Sequence, residues 1–234
     1  MRQARTDGLA QPKGAAIRAA MARDGETFPE EFANALTHGI AAVLAAAALA
    51  LLIVLAAETD SARAVATSAV YGTTLFLAFL FSSLYHGSWH APSKSIFLVL
   101  DHCAIFLLIA GTYTPLTLLV FPQPLGWVLF GIIWGLAVIG ITIRIWMRRS
   151  HWLLVPIFLA MGWLAAIWSP TLFETMSTAG AWLVLSGGLA YTCGVLFYLW
   201  RSLPFNHAIW HLWVLAGGVC HYLAIAIYAI PKAA

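Results

Sequence analysis

The sequence predicts an all-α membrane protein, a seven-transmembrane helix bundle with its N-terminus cytoplasmic and its C-terminus outside. Three observations carry that prediction. Of 234 residues, 62% are hydrophobic and only 9% charged, whereas soluble domains average about 25% charged. A chain so poor in charge cannot wet its own surface, which excludes a water-soluble globular enzyme. Seven apolar runs are each near the roughly 20 residues that a helix needs to cross a bilayer core about 30 Å thick. The Lys and Arg residues fall almost entirely on alternate connections, which sets the direction of threading. Cys103, Cys193 and Cys220 lie inside apolar runs, so a disulfide-stapled secreted domain is excluded as well.

Residues 1–28, with Arg2, Arg5, Lys13, Arg18 and Arg23, read as a basic, loosely ordered cytoplasmic tail. Its stretch AAIRAAMARD is either a solvated arm or a short helix lying on anionic headgroups. Residues 29–234 make up the transmembrane domain, with spans at approximately 36–57, 64–86, 96–119, 125–147, 152–170, 180–200 and 208–230. Connections as short as HGSWHAPSKS and RSLPFN make sequential helices antiparallel neighbours in one bundle. The first span is Ala-rich. In the third, Pro115 either kinks the helix and opens space beside a site, or ends it. In the fourth, Gly131 and Gly135 form a G-x-x-x-G pair, a mark of close helix packing that allows a homodimer. Asn206, after Pro204, stands where an N-cap for the seventh helix belongs. Trp127, Trp146, Trp152 and Trp200 lie near span ends and suit interfacial anchoring.

With seven spans, one side of the membrane holds the tail, Lys94, the cluster Arg144, Arg148 and Arg149, and Arg201. These are ten of the twelve Lys and Arg residues; Arg63 and Lys232 are on the other side. The basic side is the cytoplasmic one. The net charge of +3 therefore reports threading and contact with lipid, and no nucleic-acid surface is indicated.

Ionisable side chains inside a span are costly and turn inward, so they are the first candidates for function. His86 closes the second span, Asp101 and His102 open the third, and His207, His211 and His221 punctuate the seventh, while His38 begins the first and His151 the fifth. Helix direction brings His86, Asp101, His207 and His211 to one depth near the cytoplasmic face. His207 and His211, four residues apart, are one helical turn apart on nearly one face and can share an ion. His86 makes a third nitrogen ligand, and an all-imidazole set without thiolate favours zinc with an open fourth position for water. Asp101 is read as the only carboxylate at that depth inside a span, suited to hold that water and take its proton. Ser82, one turn before His86, can donate to the same water or orient a ligand. His221, about 15 Å further along the seventh helix, is out of reach of the ion and is expected to bond a neighbouring helix or line a cavity. His102 is either a second layer around the site or a packed core histidine.

The stretches EEFANALTHGIA, FSSLYH, LDHCAIFLLIAGTYTPLTL and HAIWHLWVLAGGVCHY occur in order along most of the chain. Together they resemble the hemolysin III family, the bacterial branch of the progestin and adipoQ receptor group that includes the adiponectin receptors. The resemblance implies a seven-helix fold in a bacterial inner membrane, zinc on His86, His207 and His211, and Asp101 and Ser82 beside the water. It also implies a substrate class, by analogy with ceramide-hydrolysing relatives.

The leading expectation is a zinc-dependent hydrolase of a lipid amide or ester, whose long-chain acyl substrate arrives from the membrane. A second is a non-catalytic sensor of membrane state in which zinc is structural. A third, from the family's name, is a pore-forming hemolysin, against which stands a chain built to be inserted by its own cell.

Overall fold

The computed structural model describes residues 25–146 and 153–233, and among these the chain is a bundle of helices without strands. In chain order these are α1 (Phe28–Ala57), α2 (Ala62–Gly87), α3 (Ala91–Pro115), α4 (Leu125–Trp146), α5 (Leu154–Ile167), the short α6 (Ser169–Thr175), α7 (Thr178–Leu199) and α8 (Asn206–Ala224). Six of them are long and apolar enough to cross a membrane. A seventh crossing is made if α5 and α6, which meet at a bend of 43°, count as one span. The bend falls at Trp168 and Ser169–Pro170, where a proline cannot continue the hydrogen-bond ladder. The basic tail up to residue 24, His151 and Trp152, with Arg148 and Arg149, lie outside the described residues.

Two helix starts differ from the sequence expectation, and at Pro115 one of the two alternatives holds. Helix α1 starts at Phe28 and not near residue 36, so Glu30, Glu31 and Asn34 are part of it. The Thr27 N–H donates to Glu30 Oε2 at 2.8 Å and Pro29 occupies the first turn, two start signals in the sequence itself. Helix α3 passes through Pro115 and continues as a π-helical turn, Leu116–Val120, so Pro115 does not end it. Asn206 is not the N-cap of α8; Phe205, in the left-handed conformation at φ 56°, holds that place. The Asn206 side chain instead donates to the carbonyls of Phe197 (3.1 Å) and Tyr198 (3.2 Å). It thereby satisfies the end of α7, whose last carbonyls have no partner within the helix.

The Ala-rich face of α1 (Ala41, Ala42, Ala45, Ala56) is buried against its neighbours, and its other face leaves Val43, Leu44, Leu51 and Val54 exposed to the surroundings. Small residues let the helices approach closely: a Cβ on Gly72 of α2 would lie 2.5 Å from Leu49 Cδ1 of α1, and one on Gly111 of α3 would lie 2.0 Å from Thr74 Oγ1 of α2. One apolar core joins α1, α2, α3, α7 and α8, and a second, around Phe106, Ile133, Ala137 and Met161, joins α3, α4 and α5. Gly131 and Gly135 of α4 face open space, and no helix among the described residues packs on them.

Candidate metal centre

His86 lies at the end of α2, and His207 and His211 in the first turns of α8. The bundle brings their rings together with centroids 4.6 Å (His86–His207), 5.1 Å (His86–His211) and 4.8 Å (His207–His211) apart. One donor nitrogen from each lies within 4.8 Å of the other two. Small ring rotations would bring all three onto one ion with bonds of about 2.0–2.1 Å.

Each ring is held by its Nδ1, and every holding group comes from the segment between Glu26 and Thr37. His86 Nδ1 donates to Glu31 Oε2 at 2.7 Å, and His207 Nδ1 to Glu26 Oε1 at 2.9 Å. His211 Nδ1 donates to the Asn34 carbonyl at 3.2 Å and to Thr37 Oγ1 at 3.1 Å, the Thr37 hydroxyl itself donating to the Ala33 carbonyl. A ring that donates from Nδ1 keeps its lone pair on Nε2, which is the arrangement that second-layer acceptors impose on metal-binding histidines. His86 Nε2 is buried without a partner in the protein, the state expected of a nitrogen that awaits an ion. The donor set therefore fits a divalent ion of the zinc type.

Sequence reasoning missed this layer. Asp101 is not the only carboxylate at this depth: Glu31, 1% exposed, is inside the bundle, and Glu26 lies just before α1. Glu31 also pairs with the buried ammonium of Lys94, which lies 4.7 Å from the Tyr85 ring centroid. Glu26, Glu31 and His86 also present ligand atoms within 4.8 Å of one another, but there the carboxylates are already engaged by ring N–H groups and by Lys94. The face formed by Glu31, Asn34 and His38, spaced three and four residues apart, was the signal available.

Asp101 and Ser82 line a cavity of about 590 Å³ that also includes His207 and His211, and the Ser82 hydroxyl donates to the Asp101 carboxylate. His38 stacks face to face on His211, with centroids 3.5 Å apart and rings inclined by 9°. Both its nitrogens are buried without partners. His102 accepts from Arg144 Nε at 2.9 Å, and Arg144, although counted among the basic residues of one membrane side, is turned inward and buried. His221 is away from the cluster, with its Nε2 donating to the Val184 carbonyl of α7 at 3.0 Å, and it lines the far part of the cavity.

The carboxylates of the second layer and the paired histidines all fall within residues 26–222, the stretch that matches the family described as haemolysin-III related. The chain belongs to that family. It is 44% identical over 214 residues to Hemolysin-3 of Bacillus cereus, which covers 91% of this chain and 98% of the relative. It is 40% identical over 205 residues to the Hemolysin-3 homolog of Bacillus subtilis, covering 87% of this chain and 96% of that one. Likeness extends to the human monocyte to macrophage differentiation factor, 34% identical over 212 residues, or 85% of this chain and 84% of that protein. This haemolysin-III related chain is an integral membrane protein with a histidine and glutamate cluster able to hold a metal ion.

Proposed function

We propose that the chain is a zinc-dependent hydrolase of a lipid amide or ester, acting within a bacterial inner membrane with its metal cluster toward the cytoplasm. The observation that carries the reading is the cavity: one continuous space joins His207 and His211 of the metal cluster, the Asp101 carboxylate and an apolar wall formed by residues such as Phe158, Leu159 and Val195. An acyl chain would fill the space that this wall encloses.

His86, His207 and His211 would hold the ion, and zinc there supplies Lewis acidity toward a carbonyl oxygen and makes water easier to deprotonate. Glu31, Glu26 and Asn34 fix the tautomers. Asp101 takes the proton of the attacking water as its oxygen bonds to the carbonyl carbon. It returns that proton to the nitrogen or oxygen of the leaving group as the C–N or C–O bond breaks. Ser82, donating to Asp101, holds the carboxylate in orientation. The cavity wall excludes bulk water and places the acyl chain.

Asp101→Asn tests the reading. Purified variant and parent are compared for metal content and for hydrolysis of ceramide and other acyl lipids; the variant should keep its metal and lose turnover. A metal-loaded parent that cleaves no acyl lipid sinks the hydrolase reading and leaves a structural metal in a sensor. The name of the two Bacillus relatives supports a further reading, membrane lysis, which dye release from liposomes by the metal-loaded protein would test.

A further inference from the structure

We infer that Gly162 of α5 and Gly188 of α7 determine which acyl chains the cavity accepts, by leaving open the cross-section that a straight hydrocarbon chain needs beyond the metal cluster. This rests on the lipid reading above. The other glycines of the same region have a packing reason to be glycine. A Cβ on Gly187 would lie 2.4 Å from the His221 ring, one on Gly194 2.6 Å from Trp210, and one on Gly217 2.8 Å from the Tyr191 ring. Gly162 and Gly188 have none: a Cβ at either meets no atom within 4 Å, and both line the cavity. Glycine within a helix is about 1 kcal/mol less favourable than alanine, so what these positions preserve is the empty space itself.

The two glycines face the cavity from different helices at a similar height. Trp163, next to Gly162, donates from Nε1 to Thr192 Oγ1 at 2.9 Å, and Thr192 donates in turn to the Gly188 carbonyl one turn earlier. Tyr113 of α3 donates to the Gly162 carbonyl at 2.9 Å, which ties that backbone to α3. A side chain at either position therefore cannot be accommodated by moving its helix away. At 1.5 Å per residue, the pair stands roughly 10 Å further from the α7–α8 turn than the histidine cluster. A lipid whose carbonyl sits at the cluster reaches the glycines after about eight carbons, so short chains stop below them and long chains pass between them.

The test uses the purified, metal-loaded protein with saturated fatty acids of eight, twelve, sixteen and eighteen carbons as product analogues. Thermal stabilisation gives affinity, since a ligand that binds only the folded state raises Tm, and metal content is measured in parallel. The parent should bind the sixteen- and eighteen-carbon acids most tightly. Gly162→Leu and Gly188→Leu should lose at least tenfold in affinity for those two, keep the eight-carbon acid within twofold, and retain the metal. Gly131→Leu, placed in equally open space on α4 but away from the cavity, should match the parent. If a Leu variant does not fold, the Ala variant, which the space accepts, must show a two- to threefold loss for the eighteen-carbon acid alone. An unchanged chain-length profile in the variants overturns the glycine assignment and leaves the lipid reading intact. A parent that binds no acid of any length overturns both.

Discussion

Glu31→Gln separates what the buried carboxylate does for the metal from what it does for the fold. Glu31 Oε2 accepts from His86 Nδ1 at 2.7 Å, its Oε1 meets the Lys94 ammonium, and the side chain is 1% exposed. Glutamine keeps the shape but has one oxygen for two donors, so its NH2 must face either the ring N–H or the ammonium. Leaving a buried charge without its partner costs about 3–5 kcal/mol, which for a chain of this size lowers Tm by roughly 6–20 °C. Loss of a second-layer acceptor weakens metal binding about 10- to 100-fold, or roughly 1.4–2.7 kcal/mol. The two effects part company in the double variant Glu31→Gln with Lys94→Met, which removes the stranded ammonium. Its Tm should recover most of the loss while its metal affinity stays low. Affinity is read by competition with a chromophoric chelator in detergent, Tm by a thermal scan of the apo and loaded protein. Metal binding by Glu31→Gln within twofold of the parent would falsify the tautomer argument. So would an affinity that returns together with Tm in the double variant, because the carboxylate would then act only through folding.

Three further substitutions test other parts of the structure. Asn206→Ala removes the side-chain donor of the Tyr198 carbonyl and one of two donors to the Phe197 carbonyl, which keeps the Trp200 N–H, and a loss of about 1–3 kcal/mol should appear as a Tm lower by roughly 2–12 °C; no change would mean that water replaces the amide. His38→Phe keeps the stack on His211 and removes two unpartnered nitrogens, so Tm should be equal or higher with metal retained; a variant that loses its metal would make His38 a ligand. Gly111→Ala places a methyl 2.0 Å from Thr74 Oγ1 and 2.9 Å from its Cβ, and an overpacking cost of about 1–3 kcal/mol should be partly relieved by adding Thr74→Ala, which removes Oγ1 and keeps Cβ; an unchanged Tm in Gly111→Ala itself would show that α2 and α3 separate freely.

The bundle and the three histidines were legible because both follow from spacing. Apolar runs set the helices, short links set their directions, and an i, i+4 pair on α8 had only one height at which to meet His86. The carboxylate layer was hidden by the same logic. Glu30, Glu31 and Asn34 look like the outside of a membrane until the partners of Glu31 are known, since a charge is tolerated in a span only when something distant in sequence answers it. Here that something is Lys94 of α3 and His86 of α2. Asn206 shows a related gap: the residue type announced a helix end, and composition could not say which of two adjacent ends its amide would reach. A cavity was one of the readings offered for His221 and Pro115, but its extent was not legible, because a glycine that makes way for a neighbour and a glycine that leaves space open are written with the same letter.

Every acceptor that orients the three imidazoles belongs to a dozen consecutive residues, Glu26 to Thr37. Ion occupancy and the seating of Glu26 and the first turns of α1 are consequently two sides of one equilibrium, each strengthening the other by the same factor. A bulky fusion that levers those turns off the bundle would empty the site with every ligand intact, so purification handles belong at the far terminus. Hydrogen exchange at the start of α1 should slow when the ion is added.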